Sequence, residues 1–172
     1  MPDEQSDLAN LISTHRSAGI LVDTNLLLVY LIGRCDLAWI ASFERTRAFR
    51  EEDFVLLEAL LTRFDKVLTT PNVLTEVSNL TNKMKGDRKD RFVDIFKNRI
   101  QRFEERYIAS VQASELEYFA KCGLTDAAIL AAARNNWLVL SADFRLYGIM
   151  MYLGMSCLNF NHVRNSDLLK PE

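Results

Sequence analysis

Short apolar runs alternate with longer helical stretches along this chain, and that alternation constrains the fold more than any other feature. Gly19-Ile20-Leu21-Val22, Lys66-Val67-Leu68-Thr69, Tyr107 to Val111, Trp137 to Leu140 and Met155 to Phe160 read as strands bounded by polar or turn-forming residues. Between them lie stretches of helical periodicity. These are Asn25 to Ile32, Asp36 to Phe49, Glu51 to Phe64 (apolar at Phe54, Leu57, Leu61 and Phe64), residues 88–106, Ala113 to Lys121, Thr125 to Asn135 and Phe144 to Leu153. A further helix opens at Thr70-Pro71, a capping hydroxyl followed by proline at the first helical position. Cys122-Gly123 reads as a helix stop, and the stretch from Asn161 reads as a loose tail. Such alternation predicts an α/β domain with a central, mostly parallel sheet flanked by helices, Met155 to Phe160 being an edge strand. The 172 residues suit one domain with its own core, and only 6 Gly and 3 Pro argue against a turn-dense all-β sandwich.

Several functional classes drop out early. The longest apolar run, Leu26 to Ile32, is seven residues, far short of a bilayer crossing. The opening Met-Pro-Asp-Glu-Gln-Ser-Asp lacks the basic flank and apolar run of a secretory signal, so a cytoplasmic location is expected. Cys35, Cys122 and Cys157 are odd in number and form no C-x-x-C pair, which predicts reduced thiols outside any metal site. Two histidines, His15 and His162, cannot build an imidazole-rich metal centre. Net charge is −2, yet 83–106 carries nine Lys/Arg against five acids. That +4 stretch leaves −6 elsewhere, and reads either as a solvated helix laced with i,i+4 pairs or as a phosphate-contacting surface beside an acidic site.

Four carboxylates stand out by position. Asp23 follows the first apolar strand directly, and Asp143 follows another after a two-residue step. In a parallel α/β sheet, ligands gather in the crevice outside the carboxyl ends of the strands, so both should face one edge. Asp126 shares a helix face with Ile129, Leu130 and Ala133, and Glu76 shares one with Val73, Val77 and Leu80. An ionised carboxylate on an apolar face is costly unless it is paired or metal-bound. Each acid taken singly also fits a helix cap or dipole role, with Arg134 and Arg145 the nearest basic candidates. Taken together, carboxylates without paired His or Cys suit Mg²⁺ or Mn²⁺ rather than structural Zn²⁺. One or two such ions would activate water and stabilise both oxygens of an in-line phosphoryl displacement.

Ile20-Leu21-Val22-Asp23-Thr24-Asn25, then Glu76, then Leu124-Thr125-Asp126-Ala127-Ala128-Ile129, then Leu138-Val139-Leu140-Ser141-Ala142-Asp143 resemble the ordered motifs of PIN-domain nucleases. The similarity is strongest to the VapC-type toxins of bacterial toxin–antitoxin modules and spans about residues 19–160. It implies a Rossmann-like PIN fold, Mg²⁺ or Mn²⁺ dependence and endoribonuclease activity. Asp23, Asp126 and Asp143 would then be the core acids around the metal, with Glu76 binding it directly or through water. Ser141 would match the hydroxyl residue before the last acid, and Asn25 the polar residue propping the site. Thr24 is a candidate for substrate contact or support.

The resemblance further implies RNA as substrate, with an antitoxin protein and a second copy of the chain as partners. Lys89, Arg91, Lys97 and Arg99 are the candidate phosphate contacts. Two features depart from compact toxins: a helical insertion at about 36–64 and the basic helix at about 88–106. An RNA-processing nuclease outside a toxin–antitoxin module, or a silent scaffold binding RNA or protein, are the alternative readings. A phosphotransferase using Asp23 as covalent nucleophile is a further one. Asp-Thr-Asn lacks the second Asp, two residues on, of haloacid-dehalogenase-like phosphatases.

Overall fold

The computed structural model describes residues 4–134 and 137–165, and of residues 4–6 the backbone alone. In chain order the elements are α1 (Glu4–His15), β1 (Ile20–Val22), α2 (Thr24–Cys35), α3 (Trp39–Ser42), α4 (Glu51–Leu61), β2 (Val67–Thr69), α5 (Pro71–Leu80), α6 (Asp87–Ile100) and β3 (Glu104–Glu105). There follow α7 (Ser110–Ser114), α8 (Phe119–Ala133), β4 (Leu138–Ser141), α9 (Phe144–Tyr152), β5 (Cys157–Asn159) and α10 (Phe160–Asn165). The five strands form one sheet in the order β3-β2-β1-β4-β5, and every neighbouring pair is parallel. The protein is therefore an α/β fold with a wholly parallel sheet and helical crossovers, consistent with a Rossmann-like arrangement.

Burial explains why the central strands are so short and so apolar. Ile20, Leu21 and Val22 of β1 and Leu138, Val139 and Leu140 of β4 have no exposed surface. Strands covered on both faces read as continuous apolar runs rather than as alternating ones. α2 is the core helix: only Asn25 and Arg34 of its twelve residues reach solvent. Its close contact with α4 depends on Gly33, where an added Cβ would lie 2.2 Å from the Phe54 ring. Gly33→Ala gains helix propensity of about 1 kcal/mol. It should nevertheless lower the melting temperature by several degrees, because displacing a packed aromatic costs about 1–3 kcal/mol. Thermal unfolding measures this directly.

Several elements differ from the sequence expectation. Of 36–49, only Trp39–Ser42 is helical. The Asp36 carboxylate accepts from the Ala38 N–H, and the Thr46 hydroxyl donates to the Ile40 carbonyl at 2.7 Å. Such local bonds compete with the helical ladder. The basic helix stops at Ile100 rather than continuing to Arg106. Glu104–Glu105 instead form the edge strand, in register with Leu68 and Thr69, and Lys66 pairs with Glu104 at 3.1 Å. The strand expected over Tyr107 to Val111 is absent: its β-prone Tyr107 and Val111 are exposed, and a helical turn begins at Ser110. Between Ala113 and Lys121, α7 ends at Ser114 and α8 begins at Phe119. Gly123, at φ 79° and ψ 179°, breaks the helical path within α8, so the expected stop at Cys122-Gly123 separates the segment before it from the alanine-rich segment that carries Asp126. Asn161 to Asn165 belong to α10 rather than to a loose tail, whose remainder, 166–172, lies outside the described residues. Asn135, the expected end of the alanine-rich helix, also lies outside them. α1 had no counterpart in the sequence reading. All three cysteines are unpaired thiols, with Cys35 and Cys157 each pushed up to about 11 by burial. Among the described residues no helix is long and apolar enough to cross a membrane.

Candidate active site

Four strands finish in polar residues at the carboxyl edge of the sheet. Thr69 ends β2 and leads into Thr70, Asp23 follows β1, Ser141 ends β4 and Asn159 ends β5. Ser141 and Asn159 are register partners, and the one-residue extension of the β1–β4 register brings Asp23 beside Ser141. Their side chains are joined there: the Ser141 hydroxyl donates to Asp23 Oδ2, and the Ala142 N–H donates to the same oxygen at 3.1 Å. Asp23 Oδ1 accepts from the Leu26 N–H at 2.8 Å, capping α2. Asp23 is only 4% exposed. Burial pushes its carboxyl above the ordinary value, and its three hydrogen bonds work against that while the charge of Asp143 adds to it.

Asp143 caps α9 through Oδ1, which accepts from the Arg145 and Leu146 N–H groups at 2.7 and 3.3 Å. Its own N–H donates to Ser141 Oγ at 3.0 Å. Ser141 thus fixes both strand-end acids: it gives a proton to Asp23 and receives one from the Asp143 backbone. On the other side, Thr24 Oγ1 donates to Glu76 Oε2 at 2.9 Å, tying the first turn of α2 to the middle of α5. Asp126 stands in the second part of α8, just past the Gly123 kink, with its side chain 20% exposed. Burial pushes its carboxyl up to about 6, reinforced by the charges of Asp143, Asp23 and Glu76 and opposed by Arg145. All four acids therefore share one electrostatic neighbourhood, supplied by four different elements.

One cation already sits among them. Arg145 Nη2 lies 3.6 Å from Asp126 Oδ2 and 3.5 Å from Asp143 Oδ2, while Nη1 donates to the Lys121 carbonyl at 3.0 Å. The donor set is all oxygen and its charge draws a cation, which fits a hard divalent ion. Among the described residues, no three His, Cys, Asp or Glu side chains are gathered into an ion-holding cluster as they stand.

Other expected site residues fall elsewhere. Asn25 is exposed and makes no side-chain hydrogen bond among the described residues, whereas Thr24 bonds Glu76 and Ser141 bonds Asp23. Arg134 pairs with none of these acids, whereas Arg145 pairs with two. In the basic helix, Lys89 Nζ lies 3.5 Å from the Thr81 carbonyl, Arg91 stands 5.8 Å over the Trp39 ring and Arg99 5.4 Å over Tyr30. Lys97 is exposed and its ammonium is unpaired among the described residues. Tyr30 is midway along α2 and Trp39 beyond its end, so these cations flank the core helix rather than its Asp23 end. Twelve helical residues span about 18 Å.

Sequence reasoning missed Asn159 and Asn161. The available signal was the shared pattern of strands ending in a polar residue, which Cys157-Leu158-Asn159 repeats. The fold and this edge define an α/β protein with acidic side chains at and beside the carboxyl ends of its central strands. No protein-family model matches the chain, and no curated protein matches it.

Proposed function

We propose that this chain is a PIN-domain nuclease, a divalent-metal-dependent endoribonuclease acting as the toxin of a toxin–antitoxin module. The observation that supports the reading is the ion pairing of one guanidinium, Arg145, with both Asp126 and Asp143, at an edge where the charges of Asp23 and Glu76 also act on Asp126. A phosphodiester is itself anionic, so a crevice of carboxylates repels it unless a cation intervenes. Mg²⁺ or Mn²⁺, when bound, would neutralise the phosphoryl oxygens and lower the pKa of a nucleophilic water.

The protein's own residues divide the remaining work. Asp23 is held by three donors and is the fixed point of the set. Asp126 and Asp143 offer carboxylate oxygens whose present partner, Arg145, is more than half exposed and free to move. Glu76, oriented by Thr24, closes the opposite side. The same three donors leave Asp23 poorly placed as a covalent nucleophile, which argues against a phosphotransferase. A complete acid set argues against a silent scaffold. A small antitoxin reading frame beside the gene would separate the toxin from an RNA-processing enzyme.

The test is cleavage of single-stranded or loop RNA by the purified chain. Activity with Mg²⁺ or Mn²⁺ that EDTA removes and added metal restores supports the reading, and cleavage that persists in EDTA overturns it. The basic helix has its own test. Replacing Lys97 together with Lys89 by alanine should weaken RNA binding and flatten its salt dependence by about one unit of slope per lost phosphate contact. Cleavage of a dinucleotide-sized substrate should be unchanged. An unaltered slope returns this helix to an ordinary solvated surface.

A further inference from the structure

A series of hydrogen bonds leads from Asp53 in α4 to Ala142, the residue whose N–H holds Asp23. It begins at Asp53, whose side chain is 12% exposed in the first turn of α4. Arg164 Nε and Nη2 donate to Asp53 Oδ1 and Oδ2 at 2.7 and 2.8 Å, a two-pronged fit of guanidinium to carboxylate. The guanidinium lies 5.0 Å over the Phe49 ring and 5.5 Å over Phe160, so two aromatic faces restrict it. Its remaining arm, Nη1, donates to Asn161 Oδ1 at 2.9 Å. Asn161 Nδ2 in turn donates to the Ala142 carbonyl at 3.3 Å and to Asn159 Oδ1 at 3.0 Å, and the Asn161 N–H donates to the same Asn159 oxygen at 2.9 Å. Ala142 is the residue whose N–H holds Asp23 Oδ2. Asn159, with no exposed surface, sits beside Ser141, the other donor to that oxygen.

Stability alone is a weak reason for such an arrangement, since a buried ion pair often holds a fold together no better than apolar residues of the same volume. What the arrangement does supply is position. Arg164 and Asn161 sit where α4, α10 and the β4–α9 corner meet; Arg164 holds Asn161, and Asn161 holds the carbonyl of Ala142, the residue whose N–H faces Asp23. We propose that Asn161 and Arg164 are positioning residues of the acidic site. They lock the Ala142 corner, and through it the Asp23 carboxylate, at the spacing that divalent-ion binding needs. The inference rests on the nuclease reading and extends it to two residues that follow Asp143, the last acid, by about 20 positions; it also gives α4 a role, as the anchor for Arg164.

The test uses the full chain with Asn161→Ala, Arg164→Lys and, as a control on the same short helix, His162→Gln. Mn²⁺ affinity is measured by calorimetry, and kcat and KM on RNA are measured well below each variant's melting temperature. Asn161→Ala should remain folded and bind Mn²⁺ about 10- to 100-fold more weakly, as is usual when a partner behind a metal ligand is lost. Its kcat should fall while KM for RNA stays put. Arg164→Lys keeps the charge without the fork and should not rescue either value; His162→Gln should match wild type. Folded Asn161→Ala with wild-type Mn²⁺ affinity and kcat overturns the proposal even if its melting temperature drops. Should Arg164→Lys fail to fold, Asn161→Ala still decides. A wild-type chain that neither binds Mn²⁺ nor cleaves RNA overturns the nuclease reading and this proposal with it.

Discussion

Asp126→Asn is expected to leave a folded protein whose metal-dependent RNA cleavage has fallen by more than about a hundredfold. The size follows from the role: partners one step behind a metal ligand are already worth about 10- to 100-fold, and a ligand should be worth more. Asp126 is the cleanest of the four acids for this purpose. Asp23 and Asp143 cap α2 and α9, so replacing them mixes site chemistry with helix stability. Among the described residues Asp126 caps no helix, and its one charged partner is Arg145. Asparagine keeps its size and removes its charge. Cleavage by Asp126→Asn at the wild-type rate, from a preparation freed of contaminating nucleases, would remove this residue from the site.

The same substitution should make the metal-free protein more stable at neutral pH. The Asp126 carboxyl is raised from 3.8 to about 6 in the fold. Because the folded pKa lies above the unfolded one, the native state is the better proton acceptor between them. Its favourable contribution is whole below about pH 4 and is lost as pH rises through about 6. By pH 7 the ionised group costs the fold up to about 3 kcal/mol, less whatever solvent screens. Asparagine carries no such cost. Asp126→Asn should therefore melt several degrees higher than wild type at pH 7, and the difference should vanish near pH 4. Millimolar Mn²⁺ should raise the wild-type melting temperature and leave the variant's nearly unchanged, since a ligand that binds only the native state stabilises it by mass action. A variant less stable than wild type at pH 7, with no metal effect on either, would show Asp126 to be a structural acid.

Much of the sheet could be read from the chain because its central strands are buried on both faces. Ile20-Leu21-Val22 and Leu138-Val139-Leu140 have no exposed side chains, so their apolar runs carry a direct signal, and the acids that follow them mark the carboxyl edge. The peripheral elements obey other rules. Glu104–Glu105 are charged and still pair with β2, because an edge strand needs backbone partners and Lys66 compensates one carboxylate. Residues 43–49 carry helical periodicity but are governed by side-chain bonds such as Thr46 to Ile40. At the site, charge and position were legible, and that is how the four acids were found. Of the supports, Thr24 stands inside the Asp23 motif and is legible as a candidate, although its partner Glu76 lies 52 positions away. Asn161 and Arg164 make contacts across 19 and 111 positions of chain, and no local pattern encodes such separations.

The most direct measurement is an anomalous difference map from crystals of the wild-type chain soaked in Mn²⁺. The expected result is density in the crevice bounded by Asp23, Glu76, Asp126 and Asp143, with the Arg145 guanidinium withdrawn from Asp126 and Asp143. Crystals of Asp126→Asn treated in the same way should show that density weakened or gone. A wild-type crevice without manganese density, with Arg145 still bridging the two carboxylates at saturating Mn²⁺, would contradict the account.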